Sequence, residues 1–89
     1  MKTLLQIGDK IKIRDDIEYY KKKYYMKNVD DTIGDTYTRN MLPPGSIATI
    51  SEIKEIKGHL IYKVQEDLNF NYVDEMFDSE LIEYLYKNR

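Results

Sequence analysis

With 89 residues, 42% hydrophobic and 34% charged, and a formal charge of −2, the chain has the make-up of one small soluble domain, 1–89. A domain of this size buries about 60–70% of the surface its unfolded chain exposes, which leaves little room for a deep, enclosed active site. The absence of cysteine excludes disulfides, thiolate zinc sites, iron–sulfur clusters and cysteine nucleophiles, and the single histidine, His59, cannot build a His-rich metal site.

No window approaches the ~18 apolar residues that span a bilayer. The stretch before Gly8 is too short for a secretory h-region, so a cytoplasmic location and no membrane partner are expected. Charge is uneven. Residues 1–65 carry 12 basic and 9 acidic side chains, net +3, whereas residues 66–89 carry 2 and 7, net −5. This asymmetry would orient the molecule toward a charged partner; a solvated surface with an acidic tail is the plainer reading.

Lys10-Ile11-Lys12-Ile13-Arg14 alternates strictly, which predicts a half-buried strand with both isoleucines on one face. Residues 15–45 follow as an elaborated loop holding five of the nine tyrosines, and a structureless loop of that length is unusual in a compact domain. Ile17, Tyr20 and Tyr24 after the acidic start at Asp16 have helical spacing over 16–27, while the β-preference of tyrosine favours a hairpin instead. Residues 30–35 read as turn, and residues 36–39 as a short strand. Pro43-Pro44-Gly45 marks a type II turn.

Residues 47–53 then form a β-branched strand whose apolar spacing slips at Ser51-Glu52, as a bulge would cause. Lys57-Gly58 is a hairpin turn, with His59 a solvated turn residue rather than a general base. A third strand runs through Leu60, Tyr62 and Val64. A turn over residues 66–69 leads into a fourth strand at Phe70-Asn71-Tyr72-Val73. Asp74-Glu75-Met76-Phe77 suits one 3₁₀ turn. Residues 81–86 fit helix and strand equally: Leu81, Ile82, Leu85 and Tyr86 by one period, Ile82, Tyr84 and Tyr86 by the other.

Three pieces of this pattern resemble a group of small proteins of phages and mobile elements of Gram-positive bacteria. Gly8-Asp9-Lys10 with Ile11, Ile13 and Arg14 matches the first piece. Gly45 with Ala48-Thr49-Ile50 and Glu52-Ile53 matches the second, and Asp74-Glu75-Met76-Phe77 the third. Tyr24, Tyr25 and Met41 match loop positions between them, while Phe70 and Tyr72 stand where that pattern has tryptophans. Lys21-Lys22-Lys23 and the longer C-terminal stretch are departures from it. The resemblance implies an all-β fold, a five-stranded SH3-like barrel with a long first connecting loop and a 3₁₀ turn before the last strand. In it, residues 81–86 are that last strand, near the first.

The most prominent surface candidate is Tyr19, Tyr20, Lys21, Lys22, Lys23, Tyr24 and Tyr25. Aromatic rings beside lysines suit base stacking and phosphate contact, a nucleotide-like ligand or an acidic protein face. Equally, some of these tyrosines would pack the loop onto the core. Tyr37, Arg39 and Tyr72 complete the binding set, with Phe70 and Tyr72 read either as a ligand groove or as core. Asp74, Glu75, Asp78, Glu80 and Glu83 read as caps and solvated acids rather than as a metal or acid–base site. Phosphate-loop, dinucleotide, zinc-protease and hydrolase motifs are all missing, and no cofactor is expected. The expected function is a non-enzymatic binding module that occupies a host protein or other ligand, with inhibition of a bacterial defence system as the role the resemblance suggests. The alternative is a small barrel that binds single-stranded nucleic acid or sequesters nucleotides.

Overall fold

The alternation at residues 10–14 has its expected result: Ile11 and Ile13 are fully buried, and Lys10 and Arg14 face solvent. The computed structural model describes residues 4–24, 35–56 and 58–89. Among them six strands follow in order: β1 (Lys10–Lys12), β2 (Lys23–Tyr24), β3 (Asp35–Thr36), β4 (Ile47–Ile56), β5 (His59–Val64) and β6 (Asp67–Tyr72). A 3₁₀ turn (Asp74–Met76) and a helix, α1 (Ser79–Lys87), complete the described chain.

The main sheet is antiparallel with strand order β1-β4-β5-β6, and β2 and β3 form a separate two-stranded pair. β4 serves two partners. Its first part pairs with β1, Ile47 opposite Lys12 and Thr49 opposite Lys10. Its remainder pairs with β5, from Ile50 opposite Val64 to Ile56 opposite His59. The register shifts between Ile50 and Glu52, at the slip the apolar spacing anticipates. A bulge there bends the strand, so one long β4 can face two directions.

Pro43, Pro44, Gly45 and Ser46 form the expected tight turn, closed by the Ser46 N–H on the Pro43 carbonyl at 3.1 Å. Gly45 has φ +81°, the left-handed region that favours glycine; an added Cβ would lie 2.8 Å from Asp15 Oδ1, the end of an exposed side chain that can move aside, so the backbone angle rather than the space calls for glycine.

Residues 81–86 are not a strand. They lie inside α1, which Asp78 caps by accepting from the N–H groups of Glu80 (2.9 Å) and Leu81 (3.3 Å). The strand reading needed Ile82, Tyr84 and Tyr86 on one face. Ile82 is buried, but Tyr84 and Tyr86 are 62% and 46% exposed, whereas Leu81 and Leu85 pack against the core. The last strand contracts to a single antiparallel bridge between Ile13 and Phe77. Flanking it, Arg14 N–H donates to the Met76 carbonyl (3.0 Å) and Asp78 N–H to the Lys12 carbonyl (2.8 Å). The structure is therefore mostly β with one short helix, rather than all-β.

Three smaller expectations also resolve. The turn expected at residues 66–69 falls at Gln65 and Glu66, and Asp67 already lies in β6, opposite Val64. In the long loop no helix occupies the described residues up to 24; β2 pairs antiparallel with β3, Lys23 opposite Thr36, as a hairpin would. The short strand expected over 36–39 is Asp35–Thr36. The turn at 30–34 and Lys57 lie outside the described residues.

One cluster of buried side chains joins all these parts, including Leu5, Ile11, Ile13, Tyr37, Ile50, Tyr62, Tyr72, Met76 and Phe77. Phe77 lies between two rings, stacked on Tyr72 (6.2 Å) and edge-on to Tyr62 (5.8 Å). Among the described residues no helix is long and apolar enough to cross a membrane.

Candidate functional site

The structure divides the ten candidate residues into two groups. Tyr37 and Tyr72 are fully buried and Tyr24 nearly so; these rings are core and cannot be offered to a partner. Tyr25 lies outside the described residues. Tyr19, Tyr20, Lys21, Lys22, Lys23 and Arg39 are half-buried or exposed; Tyr20 and Arg39 both lie against Tyr19, and Lys21 and Lys22 line a cleft with Arg14, Asp16 and Glu18.

The buried pair has a definite task. The Leu42 N–H donates to Tyr72 Oη at 2.9 Å, and the Tyr37 hydroxyl donates to the Leu42 carbonyl. The Tyr72 hydroxyl donates in turn to Asp67 Oδ2 at 2.6 Å. Two phenols thus hold both backbone groups of one loop residue and tie the 37–45 connection to β6. Burial pushes both phenols above the ordinary range; a Tyr19 contact adds at Tyr37, and Asp67 adds at Tyr72.

The exposed face is built on that anchor. Tyr19 stacks on Tyr37 with ring centres 5.0 Å apart and planes 10° from parallel. The Arg39 guanidinium lies 4.6 Å from the Tyr19 ring centre. Tyr20 N–H donates to the Tyr37 carbonyl at 2.9 Å, so the two loop segments are joined through their backbones as well. Tyr20 itself has φ +59° and is 57% exposed, its ring tilted 41° to that of Tyr19. A bulky side chain rarely adopts the left-handed region, and the stitched segments on either side hold it there. The nearby Thr38 hydroxyl is buried and finds no partner among the described residues.

The three lysines have different surroundings. Lys22 pairs with Glu75 and lies 5.3 Å from the Tyr24 ring centre; the Glu75 contact raises its pKa. Lys21 and Lys23 have no carboxylate partner among the described residues, and neither does Arg39. Lys10 and Lys63 likewise have no ion pair with a carboxylate among the described residues, Lys63 bonding Asn71 instead, whereas Lys12, Arg14, Lys54, Lys87 and Arg89 are paired.

Arg14 is a feature that sequence reasoning used only for the fold. It lines three open clefts of about 330, 320 and 200 Å³, the smallest shared with Lys21, Lys22 and Tyr24. Its guanidinium is committed to a two-pronged bond with Asp16 (2.9 and 3.0 Å), which holds the Asp16 carboxyl below its usual range. Of the acids expected to be caps and solvated groups, Asp78 caps α1 and Glu83 pairs with Lys87, whereas the 3₁₀ turn that Asp74 and Glu75 begin has no side-chain capping bond. Desolvation pushes the Asp74 carboxyl up, with Glu75 adding and a Tyr62 hydrogen bond opposing. Among the described residues no group of acids and histidine is arranged to hold a metal ion.

Comparison with protein-family models, with curated proteins and with solved structures finds no match to this chain. The site therefore has to be read from its own chemistry.

Proposed function

We propose that this chain is a non-enzymatic binding module of phage or mobile-element type, built on a variant of the SH3-like barrel. It acts in the host cytoplasm by occupying a host factor or ligand through Tyr19, Tyr20, Lys21, Lys23 and Arg39. Support for the barrel comes from the strand order β1-β4-β5-β6, the 3₁₀ turn after β6 and the return of Phe77 to Ile13. Blocking a component of bacterial defence is the role that the three-piece resemblance suggests.

The observation that carries the binding reading is Tyr20: a large ring, mostly in solvent, on a left-handed backbone. Strain of this kind persists only where the surroundings impose it, and it gathers at sites that bind. Tyrosine also supplies contact area at low entropic cost. The test is affinity capture from a Gram-positive lysate with the native chain and with Tyr20→Gly as baits. Glycine accepts the backbone angle, so this variant removes the ring without adding strain. A species retained by the native chain and lost with the variant, at equal unfolding midpoints, supports the reading. Identical retention by both baits refutes it.

A further inference from the structure

We infer that the exposed tyrosine–lysine face is a single-stranded nucleic-acid site, with Tyr20 the platform for a base and Lys21, Lys23 and Arg39 the phosphate contacts. The inference rests on the binding-module reading and adds the class of ligand to it.

The first argument is charge. The formal charge is −2, yet Lys21, Lys23 and Arg39 have no carboxylate partner among the described residues. Lys22 is not counted, because Glu75 neutralises it. Cations with no carboxylate partner among the described residues attract an anion locally.

The second argument is ring geometry. Arg39, Tyr19 and Tyr37 form a layered stack, 4.6 Å and 5.0 Å between successive members, rooted in the core by fully buried Tyr37. Tyr20 is bonded to the same strand end through its N–H. Its exposed ring is therefore carried on a fixed base, and a ligand that stacks on it need not order the loop first. A flat aromatic face and a negative charge on one molecule describe a nucleotide unit. A run of such units describes a single strand.

The third argument separates nucleic acid from a protein partner. The fully buried centre of a protein interface is depleted of charged residues, lysine among them. Next to Tyr20 in the chain the exposed residues are Glu18, Lys21, Lys22 and Lys23, and exposed Arg39 lies on the ring of adjoining Tyr19. The other large exposed apolar side chains, such as Ile7, Ile47 and Leu68, belong to other segments. One ring among lysines is a poor protein hot spot and a good stacking platform.

Fluorescence anisotropy with labelled oligothymidylate and oligouridylate of about 12 nucleotides, near what one small barrel covers, tests the inference. Three phosphate contacts give a slope of log affinity against log salt of about −2. Tyr20→Gly should weaken binding about 5- to 150-fold, the loss of one stacked base, with the unfolding midpoint unchanged, while Tyr20→Phe should bind as the native chain does. Lys21→Gln with Lys23→Gln should flatten the slope by about 1.4. Whichever oligonucleotide binds more tightly identifies the source as DNA or RNA. No binding at low salt, equal binding by Tyr20→Gly, or equally effective competition by polyglutamate of matched charge overturns the inference. If no oligonucleotide binds while a host protein is still captured and lost with Tyr20→Gly, the nucleic-acid assignment fails and the binding module stands.

Discussion

Replacing Tyr72 by phenylalanine removes one oxygen and two hydrogen bonds. The Leu42 N–H loses its acceptor at 2.9 Å and Asp67 loses a donor at 2.6 Å. Asp67 is partly exposed, so water replaces its lost bond at small cost. The Leu42 amide is part-buried, and a buried donor left without a partner costs about 1–3 kcal/mol. Tyr72→Phe should therefore destabilise by about 2–3 kcal/mol, a large share of the ~5–13 kcal/mol expected for a chain of this length. In a thermal melt followed by circular dichroism that is a fall of about 10–20 °C. Tyr37→Phe removes one bond to the Leu42 carbonyl and should cost about 1 kcal/mol. Both bonds end on the same residue, so the double variant should lose less than the sum, by at least ~0.5 kcal/mol. The alkaline limb gives a second readout. Burial holds both phenol pKa values above their unfolded value of about 10, so the folded chain keeps a proton that the unfolded chain releases. Stability then falls as pH rises past about 10, and Tyr72→Phe should flatten that fall. A Tyr72→Phe chain within ~0.5 kcal/mol of the native one at neutral pH would refute the two-phenol clamp on Leu42.

Two further outcomes test the ends of the fold. Arg89 bonds both oxygens of Asp9 and, at 3.0 Å, the Leu4 carbonyl, and this contact lowers the Asp9 pKa. The stability it supplies is present above the unfolded carboxylate pKa of about 3.9 and is lost as pH falls through the lower folded value. Arg89→Gln should thus lower the melting temperature at neutral pH and shrink the acid-induced loss; parallel pH profiles for the two chains would count against the contact. Asp78→Ala should cost about 1 kcal/mol by uncapping α1, while Asp78→Asn keeps an acceptor for the Glu80 and Leu81 amides and should cost less. Equal losses in urea unfolding would mean that the Asp78 charge matters and its capping bonds do not.

Much of the sheet was legible because its signals are local. Strict alternation set the faces of β1, the spacing slip at Ser51-Glu52 marked the bulge in β4, and Pro44-Gly45 declared its turn. Residues 81–86 were ambiguous for an equally local reason, since their apolar positions satisfy two periods at once. The deciding signal stood just upstream: Asp78 followed by Ser79 and Glu80 is a good helix start, and the resemblance overrode it. The displaced last strand also had a cause outside its own residues. β1 needed partners for Lys12 and Arg14, and the backbone of Met76 and Asp78 supplied them before residue 81 was reached.

The tyrosines were a harder problem, because their fates are settled by long-range contacts. Tyr19 and Tyr20 are neighbours, yet one ring joins a stack and the other stands in solvent. Propensity cannot separate them, since what separates them is the sign of φ at Tyr20 and the position of Tyr37 on a different segment. By type Tyr37 looked like an interface residue, and Tyr72 like either a groove or a core residue. They are core because each hydroxyl found a polar partner within the chain, and a tyrosine whose hydroxyl is satisfied can be buried. Satisfaction of the hydroxyl is thus what lets Tyr37 and Tyr72 lie in the core rather than at the surface, and a sequence does not contain it. Tyr20 lies on the other side of that division. Its ring is exposed and its backbone is unfavourable for its side chain, so folding stability alone gives little reason for tyrosine there. Glycine would satisfy the backbone better, so the proposed binding role rests on the ring itself.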